Sequence, residues 1–291
     1  MKHAKFFIAL VAICAVMVSC NKEGQYNPKK KISQISYTES YKSEYWDEYY
    51  SEWVVEDQES YNYVGQRWNW NGKLLESIDF YDTDGTLDYS EFYTYDGKQL
   101  SSISWGGTGR YDLVYEKGKL SSIEYYSGSV LGAVYTFTHD GDKISKMMYT
   151  PSEAKATAEH PLPSWLLNIP AKQLQKASKG SSTEWNFEWD GDNVKHITYL
   201  TPGDREDYYY TYDNKLNPFR GLWDISEFGF YGVMSKNNVT QEEIKYDGGT
   251  EIYNISYTYK GNYPATATAS YSYGEEDYRY TATTTTIYDY E

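Results

Sequence analysis

A short phrase recurs along the chain, and each copy is typical of a β-hairpin. It consists of an aromatic-x-aromatic pair, a tight Asp-Gly or Asn-Gly turn, a Lys-Leu-like pair, then Ile and another aromatic residue; the clearest copy runs from Tyr93 to Trp105. Asp-Gly and Asn-Gly accept the positive φ that a two-residue hairpin turn requires. The aromatic and β-branched residues on either side suit pleated, half-buried strands. Each copy therefore predicts two antiparallel strands joined by a tight turn.

The copies repeat at a nearly constant spacing. Further copies of the phrase start at Trp68, Leu113, Tyr135 and Trp185. The turn glycines 72, 97, 118 and 141 are 25, 21 and 23 residues apart. This period indicates a repeat array whose units bury their apolar faces against one another, and it is too short for a crossover between parallel strands. We predict an all-β fold, an antiparallel meander of hairpins of 21–25 residues that forms a rolled or barrel-like sheet with short helical insertions.

Residues alternate along each predicted strand between an aromatic and a polar face. Trp185 and Phe187 share one face, while Asn186 and Glu188 share the other. A sheet with one aromatic face must roll up, fold back on itself or be covered to hide that face from water. The Leu-to-Ile step that starts at Leu100 is three residues long, an odd number that predicts either a β-bulge or a late strand start there.

Two segments interrupt the repeat, residues 151–182 and residues 217–238. The first contains Ser164 and Pro170, which fit the N-cap and the first turn of short helices. The second is apolar around Trp223 and lacks the alternating pattern. Apolar loops are seldom left in water, so we expect both segments to pack on the aromatic face as plugs. The alternative is that they are exposed functional loops.

The N-terminus is typical of an export signal. Lys2 and Lys5 precede an apolar run, residues 6–18, which is too short for a comfortable membrane span. The run ends at Ser19 and Cys20, a pattern that resembles the lipobox of bacterial lipoproteins. The resemblance implies that Cys20 becomes the lipid-modified first residue of the mature chain and anchors it to a membrane. The alternative is an ordinary secretory signal with an incidental cysteine.

This interpretation divides the chain into three parts. Residues 1–19 are the signal peptide, residues 20–31 are the lipidated N-terminus and a tether, and residues 32–291 are one hairpin-repeat domain. Cys14 leaves with the signal, so the mature chain contains no cysteine pair for a disulfide. Loss of the two signal lysines moves the net charge from −15 to −17, which argues against nucleic acid as a partner.

The later part of the chain adds a characteristic order of short elements. Asn217-Pro218-Phe219 is followed by the Asn237-Asn238 pair and then by the strand pattern around Tyr257. Together with the hairpin phrase, this order resembles a family of tyrosine-rich lipoproteins of Bacteroidota, and the resemblance covers most of residues 32–290. It implies the β-repeat fold and an outer-membrane location, but no site, because the family is a domain of unknown function. The phrase is also loosely similar to the YD repeats of large bacterial shell proteins.

The residues after Cys20 bear on which side of the membrane the protein faces. Asn21, Lys22 and Glu23 follow it, and this run partly resembles the export signal of surface-displayed lipoproteins of Bacteroidota. The resemblance implies a protein anchored to the outer membrane and facing the cell exterior. The alternative is the periplasmic face.

Aromatic residues are the main candidates for ligand binding, since the chain contains 35 Tyr and 9 Trp. Most of them are expected to form the buried face and cross-strand pairs. Those outside the repeat are the candidate ligand-binding residues, namely Tyr45, Trp46, Tyr49, Tyr50, Trp53 and Trp223. The first five alternate with acidic residues, a mixture too polar for a core, and aromatic faces bind sugars by stacking.

No motif in the sequence indicates catalysis, a metal or a cofactor. The acidic loop around Asp84 resembles a calcium loop only in outline and is interpreted as a hairpin turn. His139, His160 and His196 lie in separate segments without metal-ligand spacing. We therefore predict a non-enzymatic envelope lipoprotein that binds a polysaccharide or an envelope protein. The retained alternatives are a structural envelope protein without a small ligand, a polysaccharide hydrolase, and a transmembrane barrel with its aromatic residues facing lipid.

Overall fold

The computed structural model describes residues 23–107, 109–152, 182–274 and 277–291, which form sixteen strands and one short helix. The first half contains β1 (Ile32–Asp47), β2 (Glu52–Asn71), β3 (Leu74–Tyr81), β4 (Leu87–Asp96), β5 (Gln99–Trp105), β6 (Gly109–Glu116), β7 (Lys119–Ser127) and β8 (Val130–Asp140). The second half contains β9 (Lys143–Pro151), β10 (Thr183–Asp190), β11 (Asn193–Thr201), β12 (Asp204–Tyr212), α1 (Ile225–Met234), β13 (Val239–Tyr246), β14 (Gly249–Lys260), β15 (Tyr263–Gly274) and β16 (Tyr278–Tyr290).

The sheet closes on itself. Each strand pairs antiparallel with its neighbours in sequence, and β1 pairs with β16 from Ile32↔Tyr290 to Tyr45↔Tyr278. The predicted all-β meander of hairpins is confirmed, and the rolled sheet is a closed barrel. Among the described residues, no helix is both long enough and apolar enough to cross a membrane.

The connections between strands alternate between the two ends of the barrel. One end, which we call the closed end, holds the chain before β1, the chain after β16 and the glycine turn of every sequence copy. These turn glycines have positive φ, as in Gly97 with 62° and Gly141 with 57°. The other end, which we call the mouth, holds the remaining turns. There the β1–β2 hairpin is longest, with strands of 16 and 20 residues.

A bulge follows the glycine turn in the sequence copies. In the clearest copy the extra residue is Ser101, whose hydroxyl donates to the carbonyl of Thr94 at 3.0 Å. The same register shift recurs in β3, β7, β9 and β11, and in β7 and β9 a serine makes the equivalent hydrogen bond. The bulge turns both Leu100 and Ile103 toward the interior, where they are buried. The predicted bulge is therefore confirmed, and it explains the odd spacing of the phrase.

Aromatic side chains fill the barrel and polar side chains cover it. Tyr111, Tyr135 and Trp185 are representative of the inner rows and are at most 3% exposed. The outer rows carry serine, threonine and charged residues, for example the ion pair between Arg110 and Asp112 at 2.9 Å. The alternation predicted from the sequence thus places the aromatic face inside the closed sheet.

Residues 213–238, which we name the plug, connect β12 to β13 through the lumen. Trp223 contacts Phe137 of β8 with ring centroids 6.2 Å apart, and Phe230 contacts Trp185 of β10 at 5.8 Å. The expectation that residues 217–238 pack on the aromatic face agrees with these contacts. Residues 153–181, most of the first insertion, lie outside the described residues, so the expectation for that insertion stays a prediction.

Residues 23–31, which we name the strap, pack across the closed end. Tyr26 is 2% exposed, stacks on Trp70 at 5.8 Å between ring centroids, and donates a hydrogen bond to the carbonyl of Pro218 at 2.8 Å. The prediction of a tether over residues 20–31 is therefore corrected for residues 23–31. The polar composition of the segment hid the contribution of one buried aromatic residue, which anchors it between the barrel wall and the plug.

Candidate functional site

A cavity of about 340 Å³ lies in the lumen between the plug and the barrel wall. The wall is hollow there because the inner rows of β15 and β16 carry Ala267, Ala269, Thr284 and Thr286, whereas most other strands carry Tyr, Trp or Phe in these rows. The cavity is open toward the mouth, where Ala269 is exposed. Its volume is in the range of small-ligand sites, and we name it the lumen cavity.

Aromatic rings line the lumen cavity on both sides. The barrel wall contributes Tyr37, Tyr257 and Tyr288, and the plug contributes Phe219, Phe228 and Tyr231. The two phenylalanines stack with ring centroids 4.4 Å apart. The ring of Tyr37 lies directly on Gly65, where an added Cβ would come within 2.1 Å of it. The walls are thus flat, rigid aromatic faces.

The amide side chains at the cavity are used by the fold. Asn217 donates to the carbonyls of Gly232 and Ser235 at 2.6 and 2.9 Å. Asn238 donates to the carboxylate of Asp213 at 2.9 Å. These bonds hold the plug against the starts of the neighbouring strands, so the asparagines shape the cavity and have little donor capacity left for a ligand.

Hydroxyl groups remain available inside the cavity. The hydroxyls of Thr284, Thr286 and Tyr288 make no hydrogen bond within the described part of the chain. None of the described residues that line the cavity is charged. A guest molecule would therefore meet aromatic faces together with neutral donors and acceptors.

Burial fixes the protonation state of the cavity tyrosines. It raises the pKa of Tyr257, Tyr231 and Tyr288 well above the ordinary value of 10.0. These phenols therefore stay neutral at every pH at which the protein would function. Each remains able to donate one hydrogen bond and to accept others.

Tyrosine–carboxylate pairs stand above the cavity on the lumen side of the β1–β2 hairpin. Tyr63 donates to Glu39, and Tyr41 donates to Asp57, both at 3.0 Å. Glu39 pairs across the sheet with Thr284 of the cavity. The hydrogen bond to Asp57 raises the pKa of Tyr41 to about 12, and burial raises the pKa of Tyr63 to about 12. The route from the mouth to the cavity is thus acidic and aromatic.

The structure gathers five of the predicted site residues at the tip of the β1–β2 hairpin. Trp46 and Trp53 are paired across the strands with ring centroids 5.6 Å apart. Tyr49 and Tyr50 lie in the turn and are 86% and 68% exposed, and Tyr45 is 42% exposed on the lumen side. We name these five residues the aromatic tip. Arg279 of β16 stacks on Trp53, with its Cζ 3.4 Å from the ring centroid.

The other predicted site residues lie elsewhere. Trp223 is 6% exposed in the plug and packs in the core, so it does not lie with the aromatic tip, and its role in ligand binding stays a prediction. Cys20 lies outside the described residues, so its lipidation stays a prediction. Among the residues that the structure describes, no group of three or more His, Cys, Asp or Glu side chains is placed to bind a metal ion.

The geometry of the barrel can be compared with solved structures. This barrel resembles a porin-like protein of Bacteroides. The match to the porin-like protein from Bacteroides uniformis ATCC 8492 has a TM-score of 0.51 at 12% identity and covers 92% of this chain and 100% of that one. A porin-like protein from Bacteroides vulgatus ATCC 8482 matches with a TM-score of 0.46 at 12% identity, over 86% of this chain and 97% of its own.

At such low identity the first match shows a shared fold and nothing further. No protein-family model matches the sequence, and no curated protein matches it. The resemblance to tyrosine-rich lipoproteins of Bacteroidota therefore stays a prediction.

The sequence reasoning missed the lumen cavity. Its signal is the Ala/Thr-rich character of residues 265–270 and 281–286, where inner positions hold small residues although the surrounding strands hold aromatic ones. Such a row predicts a missing volume once the sheet is known to close. Without closure, the same residues indicate only a strand with an unremarkable polar face.

Proposed function

We propose that this protein is a lipid-anchored, non-catalytic binding protein of the bacterial cell envelope, and that the lumen cavity holds one ring of a glycan. The observation that carries the proposal is the cavity itself. It is an uncharged space of about 340 Å³ with aromatic walls and with hydroxyl groups that the fold leaves available.

A sugar ring matches this lining in shape and chemistry. Its C–H faces stack on aromatic rings such as Tyr257, and its hydroxyl groups exchange hydrogen bonds with neutral donors such as Thr284 and Thr286. A strongly ionic ligand is disfavoured, because burying an unpaired charge among neutral groups costs several kcal/mol. The rigid plug and wall would be ordered before binding, which reduces the entropic cost of association.

The proposed location rests on the export signal and the lipobox pattern, and the shared fold with a porin-like protein supports it. A membrane-spanning barrel has an apolar outer face, on which each Lys or Arg at the midplane costs about 2–4 kcal/mol. Here the outer face carries charged pairs such as Lys245 with Glu243 at 3.1 Å and threonine pairs such as Thr268 with Thr285 at 2.9 Å. We therefore place the barrel in water, held by the lipid on Cys20.

A cavity-filling variant tests the proposed binding site. Ala269→Phe would place a ring in the open end of the cavity, whereas Ser270→Phe adds the same ring on the outer face of the same strand. On a glycan array, followed by calorimetry with the best ligand, the unmodified protein starting at Asn21 is expected to bind. Ala269→Phe should lose most of the affinity and Ser270→Phe should keep it.

Three results would overturn the proposal. The first is that no glycan binds, and the second is equal affinity of the two variants. The third is shortening of the bound glycan during incubation, which would show that the protein is a hydrolase and not a non-catalytic binding protein.

The aromatic tip is a second candidate contact for a polysaccharide or an envelope protein. The observation that favours it is the exposure of Tyr49 and Tyr50, which stack edge to face at 4.8 Å at the far end of the mouth. A Tyr49→Ser, Tyr50→Ser double variant is expected to weaken binding of a long glycan and to leave binding of its single-ring unit unchanged. Equal binding of the long glycan by both proteins would remove the tip from the proposal.

A further inference from the structure

The strap fixes the start of the described chain to one end of the barrel. The backbone N–H of Glu23 donates to the carbonyl of Gly118 at 3.2 Å, and its carboxylate accepts the N–H of Leu120 at 2.6 Å. The carboxylate also lies 3.2 Å from Nε2 of His139. Leu100 donates its N–H to the carbonyl of Gly24 at 2.8 Å. Glu23 is therefore held at the closed end, between the turns that contain Gly97, Gly118 and Gly141.

Very little chain separates this fixed point from the proposed lipid. Asn21 and Lys22 alone lie between Cys20 and Glu23, and a connection of this length spans at most about 10 Å. The strand β1, by contrast, has 16 residues and runs about 50 Å from the closed end to the aromatic tip. A lipid on Cys20 would therefore lie close to the closed end and far from the mouth.

The distribution of charge points the same way. Lysines are frequent at the closed end, in turns and strand ends at 73, 98, 117, 119, 143, 215 and 260 and in the strap at 29–31, where they mix with acidic residues. Lys119 pairs with Asp142 and Lys143 with Asp192. At the mouth, residues 43–60 contain seven acidic residues and no lysine or arginine. Anionic headgroups attract basic residues by about 1 kcal/mol each and repel carboxylates. The closed end thus carries mixed charge, which a membrane surface repels less than it repels the acidic hairpin at the mouth.

We infer that the closed end of the barrel is a membrane-facing surface that rests on the headgroups of the bilayer holding the lipid, with the mouth and the aromatic tip directed away from it. This inference rests on the proposed lipidation of Cys20. It adds to the proposed function that the lumen cavity opens toward the surroundings of the cell envelope and not toward the membrane. A long polymer could then reach the cavity without passing between the protein and the bilayer.

Depth-dependent fluorescence quenching tests the orientation. In the lipidated mature chain Cys20 carries the lipid, so a substituted cysteine is the only free thiol. Lys98→Cys places a fluorophore in an exposed closed-end turn, and Thr83→Cys places it in an exposed turn at the mouth. The lipidated proteins are reconstituted in phosphatidylethanolamine and phosphatidylglycerol vesicles that contain headgroup spin-labelled lipid. The Lys98→Cys label should lose most of its fluorescence and the Thr83→Cys label almost none.

The outcomes separate this inference from the proposed function. Equal quenching of the two labels, or stronger quenching at the mouth, in protein that stays on the vesicles overturns the orientation alone. Protein without an acyl group by mass spectrometry, or protein that buffer washes off, overturns the lipidation and the orientation together. A long Gly/Ser insertion between Lys22 and Glu23 identifies the cause of the orientation. Loss of the difference in quenching assigns the orientation to the short connection, and persistence assigns it to the difference in charge between the closed end and the mouth.

Discussion

At the residue scale, glycine residues, which have no side chain, allow aromatic residues to pack closely against the backbone. Gly24 in the strap has a φ of 78°, and a Cβ there would lie 2.1 Å from the hydroxyl oxygen of Tyr115. Gly72 in the first closed-end turn has a similar φ of 60° but has nothing within 4 Å of an added Cβ. The two glycines therefore separate backbone strain from steric exclusion. Both adopt a left-handed backbone, but only Gly24 also has no room for a Cβ atom.

We predict that Gly24→Ala destabilises the protein more than Gly72→Ala does. The backbone strain of a left-handed alanine costs about 1–2 kcal/mol at either site. At Gly24 the added methyl group must also displace the strap or the half-buried Tyr115 ring. Urea unfolding followed by tryptophan fluorescence measures both variants. Equal losses would show that the strap does not pack against the barrel as described.

Burial of Glu242 makes stability depend on pH. Its side chain lies in the lumen, and burial raises its pKa from 4.5 to about 7. The folded state binds the proton of Glu242 more tightly than the unfolded state does. The contribution of this proton to the free energy of unfolding is therefore greatest below pH 4.5 and declines as the pH rises toward 7. The decline amounts to roughly 3 kcal/mol. The Arg205 guanidinium lowers the pKa of Asp207 to about 2, so Asp207 affects the pH dependence of stability only at lower pH.

The Glu242→Gln variant should remove this decline. We expect its free energy of unfolding to vary less between pH 5 and 8 than that of the unmodified protein, and to exceed it at pH 8, because a neutral amide has no proton to lose. Urea titrations at several pH values measure the difference. An unchanged pH profile would mean that Glu242 does not carry the pH dependence.

At the scale of elements, the hairpins were predictable from the sequence, whereas the strap and the lumen cavity were not. Turn chemistry and alternation are local, so the copy from Tyr93 to Trp105 predicts its own strands, turn and bulge. The strap and the cavity depend on contacts across the whole lumen, as between Tyr26 and Pro218. Such contacts leave no periodic signal in the sequence. Exposure of the hairpin tip was predictable because its aromatic residues alternate with acidic ones.

The plug should contribute to stability as a core element. Phe230 is 7% exposed and its ring contacts Phe187 at 5.7 Å, so Phe230→Ala is expected to cost about 3–5 kcal/mol. Phe92 provides a matched control, because it is 49% exposed on the outer face and its replacement by alanine should cost less than about 0.5 kcal/mol. Both values come from urea denaturation. Similar losses at the two positions would exclude a packed plug.

At the scale of the whole molecule, closure joins the two ends of the described chain. β1 and β16 pair over thirteen positions, and the N–H of Glu291 donates to the carbonyl of Lys31 at 2.9 Å. Among the sixteen strands that the structure describes, closure leaves no unpaired edge on which other chains could add. It also completes the lumen, because β16 supplies two of the small residues that form the cavity.

Removal of β16 should therefore abolish the monomeric barrel. A chain ending before Tyr278 exposes the edges of both β1 and β15 and opens the aromatic lumen to water. We expect it to aggregate, or to elute as a large species in size-exclusion chromatography with red-shifted tryptophan emission. A chain that lacks Glu291 alone retains β16 and is the control, expected to remain monomeric. A monomer with native emission from the shorter chain would contradict the requirement for closure.

The meeting of Glu291 with Lys31 has a practical consequence for protein display. A reporter domain fused after Glu291 would begin beside the strap, at the end that we assign to the bilayer, and would compete with it for space. An insertion at the Gly85 turn of the mouth, where an added side chain meets nothing within 4 Å, would emerge on the opposite side. In the proposed orientation, passenger domains that must lie away from the bilayer therefore belong in the mouth turns, and the position after Glu291 is the one to leave unmodified.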